Sequence, residues 1–164
     1  MSKNVVKHYS MITLIRTASS DQDFRKLVDT LDAELAERDG DEHAFYHQFN
    51  QIDHLKLVVL ARENGVFVGC GAIKELDNDA MEVKRMFVVK DSRGKGVGQI
   101  ILSGLEKWAA ELGFGFCRLE TGKRQPEAIA LYERQGYQRI PNYGQYAGVE
   151  NSICFEKKLN GSST

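Results

Sequence analysis

Three glycines, Gly94, Gly96 and Gly98, fall at alternate positions in DSRGKGVGQIILSGLEKWAAELGF, the stretch from Asp91 to Phe114. A glycine cluster costs conformational entropy, so it marks a tight turn or a place where something must come close to the backbone. The flanks narrow the choice of fold. EVKRMFVV before the glycines and FGFCRLET (Phe114 to Thr121) beyond them read as strands, and Ile101, Leu105, Trp108 and Leu112 recur at helical spacing up to Gly113. Strand, glycine turn, helix, strand is a β-α-β crossover, which ties the turn to one end of a central sheet.

The rest of the chain extends that sheet. Met11 to Thr17 alternates apolar and polar residues as a strand does, and Phe24, Leu27, Val28, Leu31 and Leu35 then mark a helix between an N-cap at Ser19 or Ser20 and a stop at Gly40. Asp41 to Ile52 reads as a second, shorter helix. LKLVVLARENGVFVGCGAIKEL is two strands about the hairpin turn Asn64-Gly65, and Ala80 to Val89 is a third strand of the same meander. Pro126 opens and Gly136 closes a last helix, before a final strand from Ser152 to Leu159. The expected order is β-α-α-β-β-β-α-β-α-β. It describes a mixed α/β (α+β) fold with six to seven strands and about four helices, in one domain over residues 1–164 with flexible ends at 1–9 and 160–164.

Charge and composition exclude some functions. A net charge of -1 over 164 residues gives no overall match to nucleic acid or an anionic membrane. No run approaches the roughly 20 apolar residues of a membrane span, and MSKNVVKHYS lacks the apolar core of a signal peptide. Cys70, Cys117 and Cys154 are far apart and odd in number, which reads as three buried small hydrophobes in a reducing cytoplasm. His43 and His47 stand four apart, a spacing that can bind metal on a helix, but a helix face without metal is far commoner, and no metal is expected.

The glycines fit neither common nucleotide loop. The string GxxxxGK[ST] is absent, and GxGxxG fails because its last position is Gln99 counting from Gly94 and Ile101 counting from Gly96. What remains is Arg93, Gly96 and Gly98 in the pattern R-x-x-G-x-G, with Lys90 and Lys95 nearby. Successive backbone N–H groups there, with the positive end of the helix starting near Val97, make an anion nest. A merely tight surface turn is the competing reading.

RGKGVG after EVKRMFVV resembles the acetyl-CoA loop of the GNAT superfamily of N-acetyltransferases. QPEAIALYERQGY resembles the same superfamily's N-x-x-A-x-x-L-Y segment, with Gln125 where many members carry asparagine. The likeness covers roughly Leu57 to Leu159 and is closest to bacterial small-molecule or amino-acid acetyltransferases. It implies a GNAT-like fold, acetyl-CoA as co-substrate, and direct transfer to a primary amine. The pyrophosphate would lie on Arg93, Gly94, Lys95, Gly96, Val97 and Gly98. The pantetheine arm would run along Met86, Phe87 and Val88, with Gln125 and Tyr132 also on the cofactor and an oxyanion held by a backbone N–H near Met86.

Amine acetylation needs an unprotonated nucleophile. Freeing a lysine-like amine at pH 7 costs about 4–5 kcal/mol, an α-amine about 1 kcal/mol. By the resemblance Glu82 is the base, eleven residues ahead of Arg93; an ion pair with Lys84 or Arg85 is its other reading. Strand alternation places Glu82, Lys84 and Met86 on one face, Val83, Arg85 and Phe87 on the other. Tyr132 is where the family has the acid that protonates the leaving thiolate; completing an apolar helix face is its alternative. Phe45, Tyr46, Phe49, Tyr143 and Tyr146, with Lys84, Arg85 and Arg124, would border a small acceptor such as an amino acid. The partners expected are that amine and, as an open case, a second copy of the chain, with no nucleic acid and no membrane. A non-catalytic acyl-CoA-binding regulator and an enzyme acting on protein N-termini are the alternatives.

Overall fold

The computed structural model describes residues 11–40 and 55–159. Seven strands form one sheet: β1 Ile12–Thr17, β2 Leu57–Glu63, β3 Val66–Glu75, β4 Ala80–Val88, β5 Phe116–Gly122, β6 Gln138–Ile140 and β7 Ser152–Lys158. They lie in the order β1-β2-β3-β4-β5-β7-β6. Only β4 and β5 pair in parallel, because they flank the crossover; every other neighbour is antiparallel. Three helices are described, α1 Gln22–Asp39, α2 Val97–Glu111 and α3 Pro126–Arg134, one fewer than expected. The helix read over Asp41 to Ile52, with Phe45, Tyr46, Phe49, His43 and His47, lies outside the described residues, as do both expected flexible ends.

Local chemistry explains most of these elements. Asn64 and Gly65 both take positive φ, 51° and 80°, as a two-residue hairpin turn demands. The α1 cap is Asp21 rather than Ser19 or Ser20: its carboxylate accepts from the N–H groups of Asp23 and Phe24, at 2.8 and 3.1 Å, and a shorter hydroxyl further back has no such reach. The strand β6 had no sequence signal because it is three residues long and mostly exposed. Leu112 also departs from its expected place in the apolar stripe. It sits beyond the last turn of α2 and is exposed, and the stripe is completed instead by Val97, Leu102 and Ala109.

One core lies on each face of the sheet. Phe24, Leu27, Val28 and Leu31 of α1 pack on Val58, Leu60, Cys70, Ala72 and Phe87. Ile101, Leu102 and Leu105 of α2 pack with Val59, Ile73, Met81, Val83 and Phe155 on the other side, where Tyr132 of α3 joins them. Cys70, Cys117 and Cys154 are all free and buried. Among the described residues, no helix is long and apolar enough to cross a membrane.

The α2 side is tight enough to exclude a side chain at Gly69 of β3. A Cβ on Gly69 would lie 2.8 Å from the Phe87 carbonyl oxygen and 2.7 Å from Ile101 Cδ1. The backbone oxygen cannot rotate away. Gly69→Val is therefore expected to cost about 1–3 kcal/mol through overpacking, read as a melting temperature several degrees lower; an unchanged melting curve would show that β3 and β4 can part without cost.

Two departures from regularity shape the middle of the sheet. Cys70 pairs with Phe87 but Ala72 with Lys84, so Gly71 alone opposes two residues, Arg85 and Met86. This is a β-bulge, with Arg85 in the left-handed region at φ 58°. The second is a splay: β4 pairs with β5 only at Ala80, Met81 and Glu82, while β5 runs on beside β7 to Gly122. Beyond Glu82 the two central strands separate.

Candidate active site

The gap between the splayed strands holds a cavity of about 120 Å³. Its walls come from both faces of the sheet: Leu31 and Leu35 of α1, Glu82 to Met86 of β4, Glu120 to Gly122 of β5, and Gln125, Ala128 and Tyr132 at the start and middle of α3. That volume suits the reacting ends of two molecules better than a whole nucleotide-sized ligand, for which pockets run to roughly 300–1,000 Å³. Four of the expected site residues thus meet here, Glu82, Met86, Gln125 and Tyr132. The remainder, from Phe87 to Gly98, lie along the end of β4 and the turn beyond it.

The bulge decides which side chains face this gap. Regular alternation would put Met86 with Glu82 and Lys84. Instead Met86 packs with the α2 core, while Arg85 pairs with Asp32 of α1 and Phe87 enters the α1 core. One inserted left-handed residue moves Met86 to the opposite face. Arg85 is buried, and its Nε has no hydrogen-bond partner among the described residues.

Glu82 is only 4% exposed and forms a loose ion pair with Lys84. Its Oε2 accepts a 2.6 Å hydrogen bond from the Tyr143 hydroxyl, and its Oε1 lies 3.8 Å from Lys84 Nζ with no hydrogen bond from the described residues. Burial lowers the Lys84 pKa, and the carboxylates of Glu82 and Glu120 oppose that shift. Lys84 donates to the Tyr146 hydroxyl at 3.2 Å. Burial drives the pKa of Tyr143 well above the ordinary phenol range, with Glu82 reinforcing it, so Tyr143 keeps its proton and acts as a donor.

Tyr132 sits across the cavity. Its ring packs edge-on against Tyr137 at 5.8 Å and near Phe155. Its hydroxyl has no hydrogen-bond partner among the described residues. Burial, and secondarily the negative charge of Glu120, pushes its pKa well above the ordinary value, so the proton is held through the neutral range.

The glycine turn takes its shape from its backbone. Gly94 and Gly96 take φ of 78° and 83°, with nothing within 4 Å of an added Cβ, so conformation and not crowding requires glycine there. Gly98 differs: its Cβ would press on Leu131 of α3 at 3.2 Å. Gly96 caps α2 without a side-chain bond, and Ile100 N–H donates to the Gly96 carbonyl at 3.1 Å to open the helix. The N–H groups of Val97, Gly98 and Gln99 therefore have no backbone acceptor among the described residues, at the positive end of a 15-residue helix.

The cations around the turn are less free than expected. Arg93 Nε donates to the Val88 carbonyl at 2.8 Å, and its Nη2 reaches both oxygens of Glu34 on α1 at 2.9 and 2.8 Å. Gln125 Oε1 accepts from Arg38 of α1 at 3.0 Å. Lys95 is exposed. Three carriers of the site were not singled out from sequence: Asp32, Glu34 and Glu120. The first two looked like the solvated face of an amphipathic helix. Glu120, a carboxylate between the buried Leu119 and Thr121 in a central strand, left a signal in its placement alone.

A tyrosine on one wall, a carboxylate on the other and a glycine turn beyond the end of the same strand thus meet around the splay of a mixed sheet. Comparison with known proteins agrees. The model of the acetyltransferase (GNAT) family matches residues 24–137, and the chain belongs to that family. An IAA acetyltransferase of Azospirillum brasilense is 39% identical over 102 residues, 62% of this chain and 67% of that protein. A candidate acyl-CoA N-acyltransferase from Klebsiella pneumoniae superposes with TM-score 0.77 at 31% identity, covering 91% of this chain and 98% of the other. An Elizabethkingia anophelis GNAT acetyltransferase with acetyl-CoA bound shares the fold, with TM-score 0.64 at 17% identity over 90% of this chain and 98% of its own. The protein is an acyltransferase of the GNAT family.

Proposed function

We propose that the chain transfers an acetyl group from acetyl-CoA to a small primary amine by direct attack within a ternary complex. The observation that carries this reading is the cavity at the β4–β5 splay, which Glu82 and Tyr132 both line beside the strand that leads into the glycine turn. The turn's N–H groups and Lys95 hold the pyrophosphate, and Arg93 joins them by exchanging Glu34 for phosphate oxygen. The free edge of β4 beyond Glu82 pairs with the pantetheine amides as an added strand.

Glu82 takes a proton from the incoming ammonium, directly or through one water. The amine nitrogen then attacks the thioester carbonyl carbon, and a β4 backbone N–H near the bulge stabilises the oxyanion. The C–S bond breaks, the electron pair leaves on sulfur, the Tyr132 hydroxyl gives its proton to the thiolate, and the second proton shed by the acylated nitrogen returns through solvent to the Tyr132 phenolate. The three buried thiols fit a reducing compartment, and the cytoplasm is the proposed place of action.

Thiol release from acetyl-CoA, measured with amino acids, polyamines and N-terminal peptides, tests the reading. Turnover with one class of small amine is expected. Turnover with peptides alone would replace the acceptor, and silence across the panel while acetyl-CoA still raises the melting temperature would favour a non-catalytic regulator.

A further inference from the structure

Two charges in the cavity are left incompletely satisfied, and they are adjacent. Lys84 is a buried ammonium with three protons to give, yet its one hydrogen bond among the described residues goes to the Tyr146 hydroxyl. Glu82 Oε1, 3.8 Å away, is too far for a hydrogen bond to it. The other cation lining the cavity, Arg85, is taken by Asp32. Glu120 adds a second carboxylate on the facing strand, close enough to act on the charge of Lys84 and anchored at Oε2 by Ser152 Oγ at 2.7 Å. The cavity thus offers one cation and one carboxylate oxygen, side by side, to whatever enters.

That arrangement selects among amines. A plain amine or polyamine brings its ammonium to Glu82 and leaves a second cation beside buried Lys84, with nothing to answer it. A molecule bearing ammonium and carboxylate on the same carbon lies antiparallel to the Glu82–Lys84 pair. Its ammonium meets Glu82 Oε1, with Glu120 adding to the field, and its carboxylate takes the unused Lys84 protons. An ω-amino acid has to fold its chain back to meet both neighbours at once, and so gives up rotamer freedom that an α-amino acid does not lose. From this geometry we infer that the acceptor is a free α-amino acid, with Lys84 as the residue that binds its carboxylate. The inference rests on the acetyltransferase reading above and narrows it.

The test compares kcat/KM for matched acceptors, each an α-amino acid, its carboxamide and its decarboxylated amine, with wild type, Lys84→Met and Lys84→Arg. Wild type is expected to favour the acid over both partners by about tenfold or more, the scale of a charge-assisted hydrogen bond out of water. Lys84→Met is expected to bring that ratio close to one, and Lys84→Arg to restore part of it. If Lys84→Met fails to fold, the wild-type ratio and the arginine variant still decide. Equal use of acids and plain amines, or a preference that survives Lys84→Met, overturns the inference while leaving the acetyltransferase intact. No turnover of any amine overturns both.

Discussion

Replacing Tyr132 with phenylalanine is expected to lower kcat by about 10²–10⁴-fold, the usual range for loss of a positioned general acid. The substitution removes one oxygen and nothing else. That oxygen has no hydrogen-bond partner among the described residues, and the ring keeps its packing on Tyr137 and Phe155. Thermal stability should therefore change by no more than about 0.5 kcal/mol, and the affinity for acetyl-CoA should hold. A pH profile adds a second readout. Because the folded-state pKa of Tyr132 is raised by burial, its proton is retained as pH climbs past the ordinary phenol value. Wild-type kcat should then show no alkaline decline assignable to this group below about pH 10, the value for an unperturbed tyrosine. A phenylalanine variant within threefold of wild type would reduce Tyr132 to a core residue.

The second large effect is expected at Glu82→Gln, with kcat/KM down by about 10²–10³-fold near neutral pH. The mechanism specifies how this loss varies. As pH rises, more of the amine is free without help, so the gap between variant and wild type should close toward high pH. Glutamine retains an acceptor oxygen for Tyr143 but loses the charge that strengthens that 2.6 Å bond, at a cost of about 1–2 kcal/mol in stability. Tyr143→Phe separates the two roles, since it removes the hydrogen bond and leaves the base. A defect in Glu82→Gln of constant size from pH 6 to 10, matched by Tyr143→Phe, would make Glu82 a scaffold for Tyr143.

The sheet was readable in the sequence where periodicity and turn chemistry coincide. Asn64-Gly65 fixed the hairpin, and the apolar runs on either side of it marked strands that are buried on both faces. The glycine turn was marked by its own residues, whereas Tyr132 was singled out by the likeness of QPEAIALYERQGY to the family's segment. The bulge at Arg85 left no such mark. Arginine rarely adopts positive φ, and what holds it there is a carboxylate fifty-three residues earlier in the chain, Asp32. Strand alternation therefore failed at Met86, two residues beyond Lys84. The engagement of Arg93 by Glu34 and of Gln125 by Arg38 was equally invisible, since a helix's polar face does not announce which partners it will meet.

That polar face belongs to one rigid rod. Asp32, Glu34 and Arg38 of α1 hold, in turn, the bulge through Arg85, the glycine turn through Arg93, and the first turn of α3 through Gln125 and Glu127. The outer pairs are partly exposed and contribute about 0–1 kcal/mol each. Their weight lies in being mounted on a single stiff element. Because all three attachments share α1, a substitution that displaces this helix is expected to reach the bulge, the glycine turn and the start of α3 together.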